Sequence, residues 1–150
     1  MHICFLCNEY PPGKHGGIGS LTQSLARSLV LRGHQVTVIG IYEPNQAGIS
    51  NDEGVSVIRL PHTSIRGAGF IANGSRLRRA LQDLHCQQPI DILEGPEASL
   101  AMIEKDFPAA KVIRMHGGHH FFSVTLGKKP RAWRGWQEAR SFARADHLCA

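Results

Sequence analysis

Residues 8 to 21, Asn-Glu-Tyr-Pro-Pro-Gly-Lys-His-Gly-Gly-Ile-Gly-Ser-Leu, constrain this chain more than any other stretch. Before them runs Ile3-Cys4-Phe5-Leu6-Cys7, an apolar segment with the length of a strand buried on both faces. After them Ile18, Leu21, Leu25, Leu29 and Val30 recur at helical spacing. The stretch is therefore a strand-to-helix turn whose glycines fall where the helix begins. Gly16, Gly17 and Gly19 lack Cβ atoms, so a ligand can come close to backbone N–H groups that have no intrahelical partner. The helix dipole favours an anion there, and phosphate is the usual occupant. A Pro-Pro-Gly turn with a glycine-softened helix start and no ligand is the plain alternative.

Two familiar phosphate loops do not fit. The dinucleotide fingerprint sets its first glycine directly after the strand in the spacing G-x-G-x-x-G. Here Glu9 to His15 intervene and Thr22 stands at the third position, although Glu43 could imitate the ribose-binding acid. The nucleotide-triphosphate loop fails for want of a Gly-Lys-Ser/Thr triplet.

At 150 residues the chain is long enough to bury a core as one domain. A net charge of +5 suits an anionic small molecule or a membrane surface as well as nucleic acid. Aromatic residues do not interleave with basic ones along a strand, so no nucleic-acid partner is expected. Apolar runs reach only about five residues, against the ~20 a membrane helix needs. No signal peptide is legible. Cys4, Cys7, Cys86 and Cys149 read as reduced core thiols of a cytoplasmic protein, and Cys4 and Cys7 as strand residues on opposite faces rather than a redox pair.

Along the chain, a first helix runs to about Arg32 with Gly33 as its left-handed stop. Residues 34 to 41 form a second strand, a loop with Pro44, Gly48 and Gly54 follows, and Val55 to Leu60 make a third. Residues 61 to 69 are expected to be irregular and mobile. Leu77, Ala80, Leu81 and Leu84 give the core face of a second helix, with Arg76, Arg78 and Arg79 on its solvated side. Ile90 to Glu94 is a short strand. Gly95-Pro96-Glu97 is expected to open a third helix with Leu100, Ile103 and Phe107 inside. Lys111 to Met115 is a fifth strand, His116 to His120 leave its end, and a last helix carries Trp133 and Trp136. A sixth strand begins at Ala145.

Strands alternating with helices predict a Rossmann-like, doubly wound, mainly parallel sheet in an α/β three-layer sandwich. Ligands bind such sheets beyond the carboxyl ends of the strands, at the switch point. Three turns leave carboxyl ends here, Glu9 to Gly19, Glu94 to Glu97, and His116 to His120, and their convergence favours a ligand site over a bland turn. A chain that stops inside a strand is expected to be the front part of a longer protein.

The residues Glu9-Tyr10-Pro11-Pro12, Gly16-Gly17-Ile18-Gly19, Leu25-Ala26, Leu29 and Arg32-Gly33-His34-Gln35-Val36-Thr37-Val38 resemble the opening of glycosyltransferase family 4. Arg114-Met115-His116-Gly117 resembles that family's fifth-strand end, and Ala145-Asp146-His147 the start of its sixth. The resemblance implies a GT-B architecture of two Rossmann-like domains across a cleft. Residues 1–150 would be the N-terminal, acceptor-side domain, and the C-terminal donor-binding domain would lie outside this chain. It implies transfer of a sugar from a nucleotide-sugar donor to a sugar, lipid-linked or small-molecule acceptor, with retention of configuration and no metal or other cofactor. Gly16, Gly17 and Gly19, with His15, would lie against the donor diphosphate and the acceptor. His116 would contact the transferred sugar as the catalytic residue. Glu94 and Glu97 depart from the commoner histidine-bearing pattern, and reach the acceptor or cap the following helix. The chain alone is expected to fold but transfer no sugar. A free-standing anion- or sugar-binding module on the same fold is the alternative.

Two further expectations concern clusters. His116, His119 and His120 have helical spacing but are not expected to bind a metal, because Gly117 and Gly118 would each cost such a helix about 1 kcal/mol. Lys128, Lys129, Arg131 and Arg134 beside two tryptophans would suit peripheral membrane contact. Two tryptophans on one helix are nevertheless expected in the core.

Overall fold

The computed structural model describes residues 1–64, 68–129 and 131–150, and all side chains within them except that of His120. It is built on a seven-stranded sheet. Strands β1 (His2–Leu6), β2 (Gln35–Tyr42), β3 (Gly48–Asp52), β4 (Val55–Pro61), β5 (Ile92–Gly95), β6 (Ala110–Arg114) and β7 (His147–Cys149) lie in the order β3-β4-β2-β1-β5-β6-β7. Every pairing is parallel except that of β3 with β4. Among the described residues four helices accompany it: α1 (Gly17–Leu31), α2 (Gly69–Gln87), α3 (His119–Thr125) and α4 (Ala132–Phe142).

All five residues of β1 are buried, as the apolar run requires of a central strand. Alternate side chains feed two cores. Ile3, Phe5 and Cys7 pack with Val36, Val38, Val55 and Val57 beneath Ala26, Leu25 and Leu29 of α1. Cys4 and Leu6 pack on the other face with Ile39, Leu93, Ile113 and Leu81 of α2. Cys4 and Cys7 thus serve opposite cores, and burial pushes both thiols up in pKa. Cys86 is exposed, contrary to expectation, because α2 turns it to solvent.

Three local expectations need correction. The loop before Val55 contains β3, joined to β4 by Glu53 and Gly54, both at positive φ (52° and 90°). Consecutive left-handed residues make a tight hairpin turn, and the Asn51 side-chain oxygen accepts the Gly54 N–H at 3.0 Å. The strand is an exposed edge, so no buried alternation announces it.

The third helix shrinks to a 3₁₀ turn, Ser99–Met102, and the chain is extended again at Ile103. Leu100, Ile103 and Phe107 are buried as expected, but in irregular backbone. The carbonyls of Ala101 and Ile103 instead accept the Nε–H groups of Arg140 and Arg144, at 2.8 and 2.6 Å. Pro108 also disfavours helical geometry at Phe107.

The tryptophans of α4 are exposed, while Gln137, Glu138 and Ser141 form its buried face. The Ser141 hydroxyl oxygen accepts the Leu100 N–H at 3.0 Å, so the polar face of α4 docks on the 3₁₀ turn. Of residues 61 to 69, Ile65, Arg66 and Gly67 lie outside the described residues.

Candidate functional site

The strand order reverses between β1 and β5, so the chain leaving Leu6, Gly95 and Arg114 emerges side by side. All three expected turns begin there. The first, after β1, is fastened to β2. The Tyr42 hydroxyl donates to the Cys7 carbonyl at 2.6 Å and accepts the Tyr10 N–H at 3.1 Å. Arg59 donates to the Pro11 carbonyl at 2.7 Å. Gly40 is required where β2 passes this loop, since a Cβ would sit 1.9 Å from the Cys7 carbonyl oxygen.

The glycines divide by role. A Cβ on Gly19 would lie 2.0 Å from the Glu9 carbonyl oxygen, so Gly19 is demanded by backbone crossing. Nothing lies within 4 Å of the Cβ position of Gly17, which faces open space. The Glu9 side chain, missed in the sequence, reaches the helix start: its Oε1 accepts the Gly19 N–H at 2.9 Å. A carboxylate of the chain itself therefore takes one place on the positive end of α1. Among the described residues no acceptor meets the N–H groups of Gly17 or Ile18. His15 is exposed, its Nδ1 2.7 Å from the Gly13 carbonyl oxygen. The N-terminus that remains open is that of Gly17 and Ile18.

On the far side, the turn after β6 rests on two carboxylates. Glu97, buried under it, accepts the His116 N–H at 2.5 Å, and Glu138 of α4 accepts the His119 N–H. Gly118 fits between them, since a Cβ there would lie 2.6 Å from Glu138 Oε1. Gly117 takes a φ of +85°, open to glycine at little cost. Helix α3 starts only at His119, so His116 stands off it. Glu94, at the end of β5, accepts Arg114 Nε–H at 2.7 Å in a largely buried ion pair. That pairing holds the Arg114 guanidinium above its ordinary pKa. Neither Glu94 nor Glu97 caps a following helix.

Ile18, Leu21 and Thr22 of α1, Glu94, Pro96, Arg114 and the half-buried His116 line a single cleft. Leu21, part of the predicted apolar stripe, is left partly exposed as one wall of it. The space that a water-sized molecule can reach in the cleft is only about 10 Å³, far below the 300–1,000 Å³ of typical ligand pockets, so these residues form a narrow seam between the turns and not a preformed pocket. Gly16, Gly17, Gly19, His15 and Glu97 adjoin the cleft-lining segments in sequence but are not in its wall. The available chemistry is an imidazole anchored through its backbone, two free N–H groups at a helix start and a neutralised charge pair. These are hydrogen-bonding groups suited to hydroxyls and phosphate oxygens.

The family model of Glycosyltransferase Family 4 matches residues 15–150. An uncharacterized 42.6 kDa protein in the cps region of Klebsiella pneumoniae is 40% identical over 65 residues, covering 43% of this chain and 17% of that protein. Glycogen synthase of Hydrogenobaculum sp. (strain Y04AAS1) is 55% identical over 40 residues, 26% of this chain and 8% of that enzyme. Among solved structures, sucrose-phosphate synthase from Thermosynechococcus elongatus superposes with a TM-score of 0.78 at 13% identity, over 98% of this chain and 41% of that one. Arabidopsis thaliana UGT89C1 complexed with UDP superposes at 0.56 and 18% identity, with the same coverage. The chain thus spans less than half the length of the proteins it matches, and its fold is that of the N-terminal part of GT-B glycosyltransferases.

Proposed function

The chain belongs to glycosyltransferase family 4, and from that premise we propose that it forms the acceptor-side half of a retaining sugar transfer from a nucleotide-sugar donor. A second αβ domain closes the cleft and carries most of the donor nucleotide contacts. His116 hydrogen-bonds the transferred sugar as its glycosidic bond loosens, where a positioned group is worth roughly 10²–10³ in rate. The start of α1, Gly16 to Gly19 with His15, lies against the diphosphate. Glu94, neutralised by Arg114, shapes the acceptor end, and Glu97 holds the His116 turn.

The observation that carries this reading is that Ile18 at the start of α1, Glu94 and His116 line one cleft at the switch point. UDP in the Arabidopsis neighbour supports a nucleoside-diphosphate donor. The test is a screen of nucleotide sugars against sugar and lipid-linked acceptors with the full-length protein, scored by product mass. A product containing one added sugar is expected. Binding of a nucleotide sugar with no product from any acceptor would favour a sugar-binding module instead.

A further inference from the structure

The inward face of β4 breaks its own pattern at one position. Val55, Val57 and Arg59 alternate onto the α1 side of the sheet, and all three are buried. The two valines pack in the core beneath α1. The third place carries a guanidinium, on a residue only 9% exposed. Among the described residues Arg59 is in no ion pair. A buried cation without a carboxylate carries a desolvation cost that a third valine would not. Such a breach of the local rule belongs to a functional or strained position.

What the guanidinium holds is the turn after β1. Its Nη2 donates to the Pro11 carbonyl at 2.7 Å, and its Nη1 donates to Ser50 Oγ of β3 at 2.8 Å. The group lies over the Tyr42 ring at 5.3 Å, and the hydroxyl of that ring already fastens Cys7 and Tyr10. Pro11 and Pro12 have no N–H, so here the turn offers no backbone donor and its carbonyl is the handle. Pro11 is also the last buried residue before residues 12 to 17, all of them exposed. At the other end the Gly19 N–H is bonded to Glu9. The exposed run that carries Gly16 and Gly17 therefore hangs between two fixed points, and Arg59 sets the first. Two directed bonds from one planar fork suit arginine, whereas lysine is a point donor on a flexible stem.

We propose that Arg59 is a positioning residue: by holding the Pro11 carbonyl it presets the path of residues 12–17, so that the N–H groups of Gly17 and Ile18 are in place before the donor diphosphate arrives. The inference rests on the transferase reading and names the group that preorganises its donor end. The experiment first follows hydrogen exchange at the bonded Tyr10 and Gly19 amides of the full-length protein without substrate, then steady-state kinetics. Arg59→Met keeps the length of the side chain but donates no bond. It should speed exchange at these two amides relative to those of β2, and raise the donor KM about tenfold or more with a smaller change in kcat. Arg59→Lys should show the same changes in lesser degree, and is read in its place should Arg59→Met not fold. Val57→Ala, on the same face of β4, should lower the melting temperature and leave the donor KM as it was. Unchanged exchange in the Arg59 variants, an unchanged donor KM despite faster exchange, or an equal rise in donor KM from Val57→Ala would overturn the proposal. A wild-type protein that transfers no sugar would instead sink the transferase reading, and the exchange comparison would still decide whether Arg59 fixes the turn.

Discussion

The Glu97 carboxylate accepts the backbone N–H of His116 at 2.5 Å, across nineteen positions of sequence. It ties the turn after β5 to the turn after β6, and among the described residues no hydrogen bond is made by the His116 imidazole. Glu97→Ala should strand a partly buried donor and cost about 1 kcal/mol of stability, with a fall in transfer rate. Glu97→Gln keeps an acceptor oxygen and should recover most of both, read by thermal unfolding and steady-state kinetics.

His116→Ala in the full-length protein should cut the rate at saturating donor about a hundredfold or more. Its side chain is only half-buried, so melting temperature should barely move. A lower melting temperature with an undiminished rate per folded molecule would make His116 structural.

Gly17 and Gly19 separate ligand from packing. Gly17→Val places its side chain in open space, so folding should be nearly unchanged while activity is lost to a blocked helix start. Gly19→Ala drives a Cβ into the Glu9 carbonyl and should lower stability in the absence of any substrate. Calorimetry of both variants, with activity assays, distinguishes the two roles. Wild-type activity in Gly17→Val would mean that the turn binds nothing.

Asp52 carries the pH prediction. Its carboxylate accepts from Arg27 at 2.6 Å, Tyr10 at 2.6 Å and Gln23 at 3.0 Å. Chiefly through the Arg27 bond, its folded pKa falls from 3.8 to about 2. A depressed folded pKa contributes stability that is present above the unfolded value and lost as pH falls through the folded one. The protein should therefore lose stability between about pH 4 and pH 2. Asp52→Asn should be less stable at neutral pH by about 1–3 kcal/mol and show a flatter profile in that window, measured by urea unfolding.

The mainly parallel sheet, α1, α2 and the three turns at its carboxyl ends were legible in the sequence, whereas the order of the strands came from the structure. Each rests on a local signal: the run Ile3 to Cys7, the α1 stripe from Ile18 to Val30, the left-handed stop at Gly33. Elements without an inward apolar face escaped. Edge strand β3 and helix α3 show their apolar residues to solvent, so no periodicity marks them.

What tertiary structure alone decided is where polar groups at a distance go. The apolar residues Leu100, Ile103 and Phe107 specified burial but not helix, because the side chains of Arg140 and Arg144 take carbonyls a helix would have used. Trp133 and Trp136 lie outside because α4 buries its polar face against the Ser99–Met102 turn. Glu9, a loop residue by sequence, sits on the end of α1, and Glu94 and Glu97 grip Arg114 and the His116 turn rather than a helix. Periodicity is a property of neighbours along the chain and reports which face is apolar. A buried hydrogen bond joins whichever donor and acceptor the fold brings within about 3 Å, and only the folded chain determines that pairing.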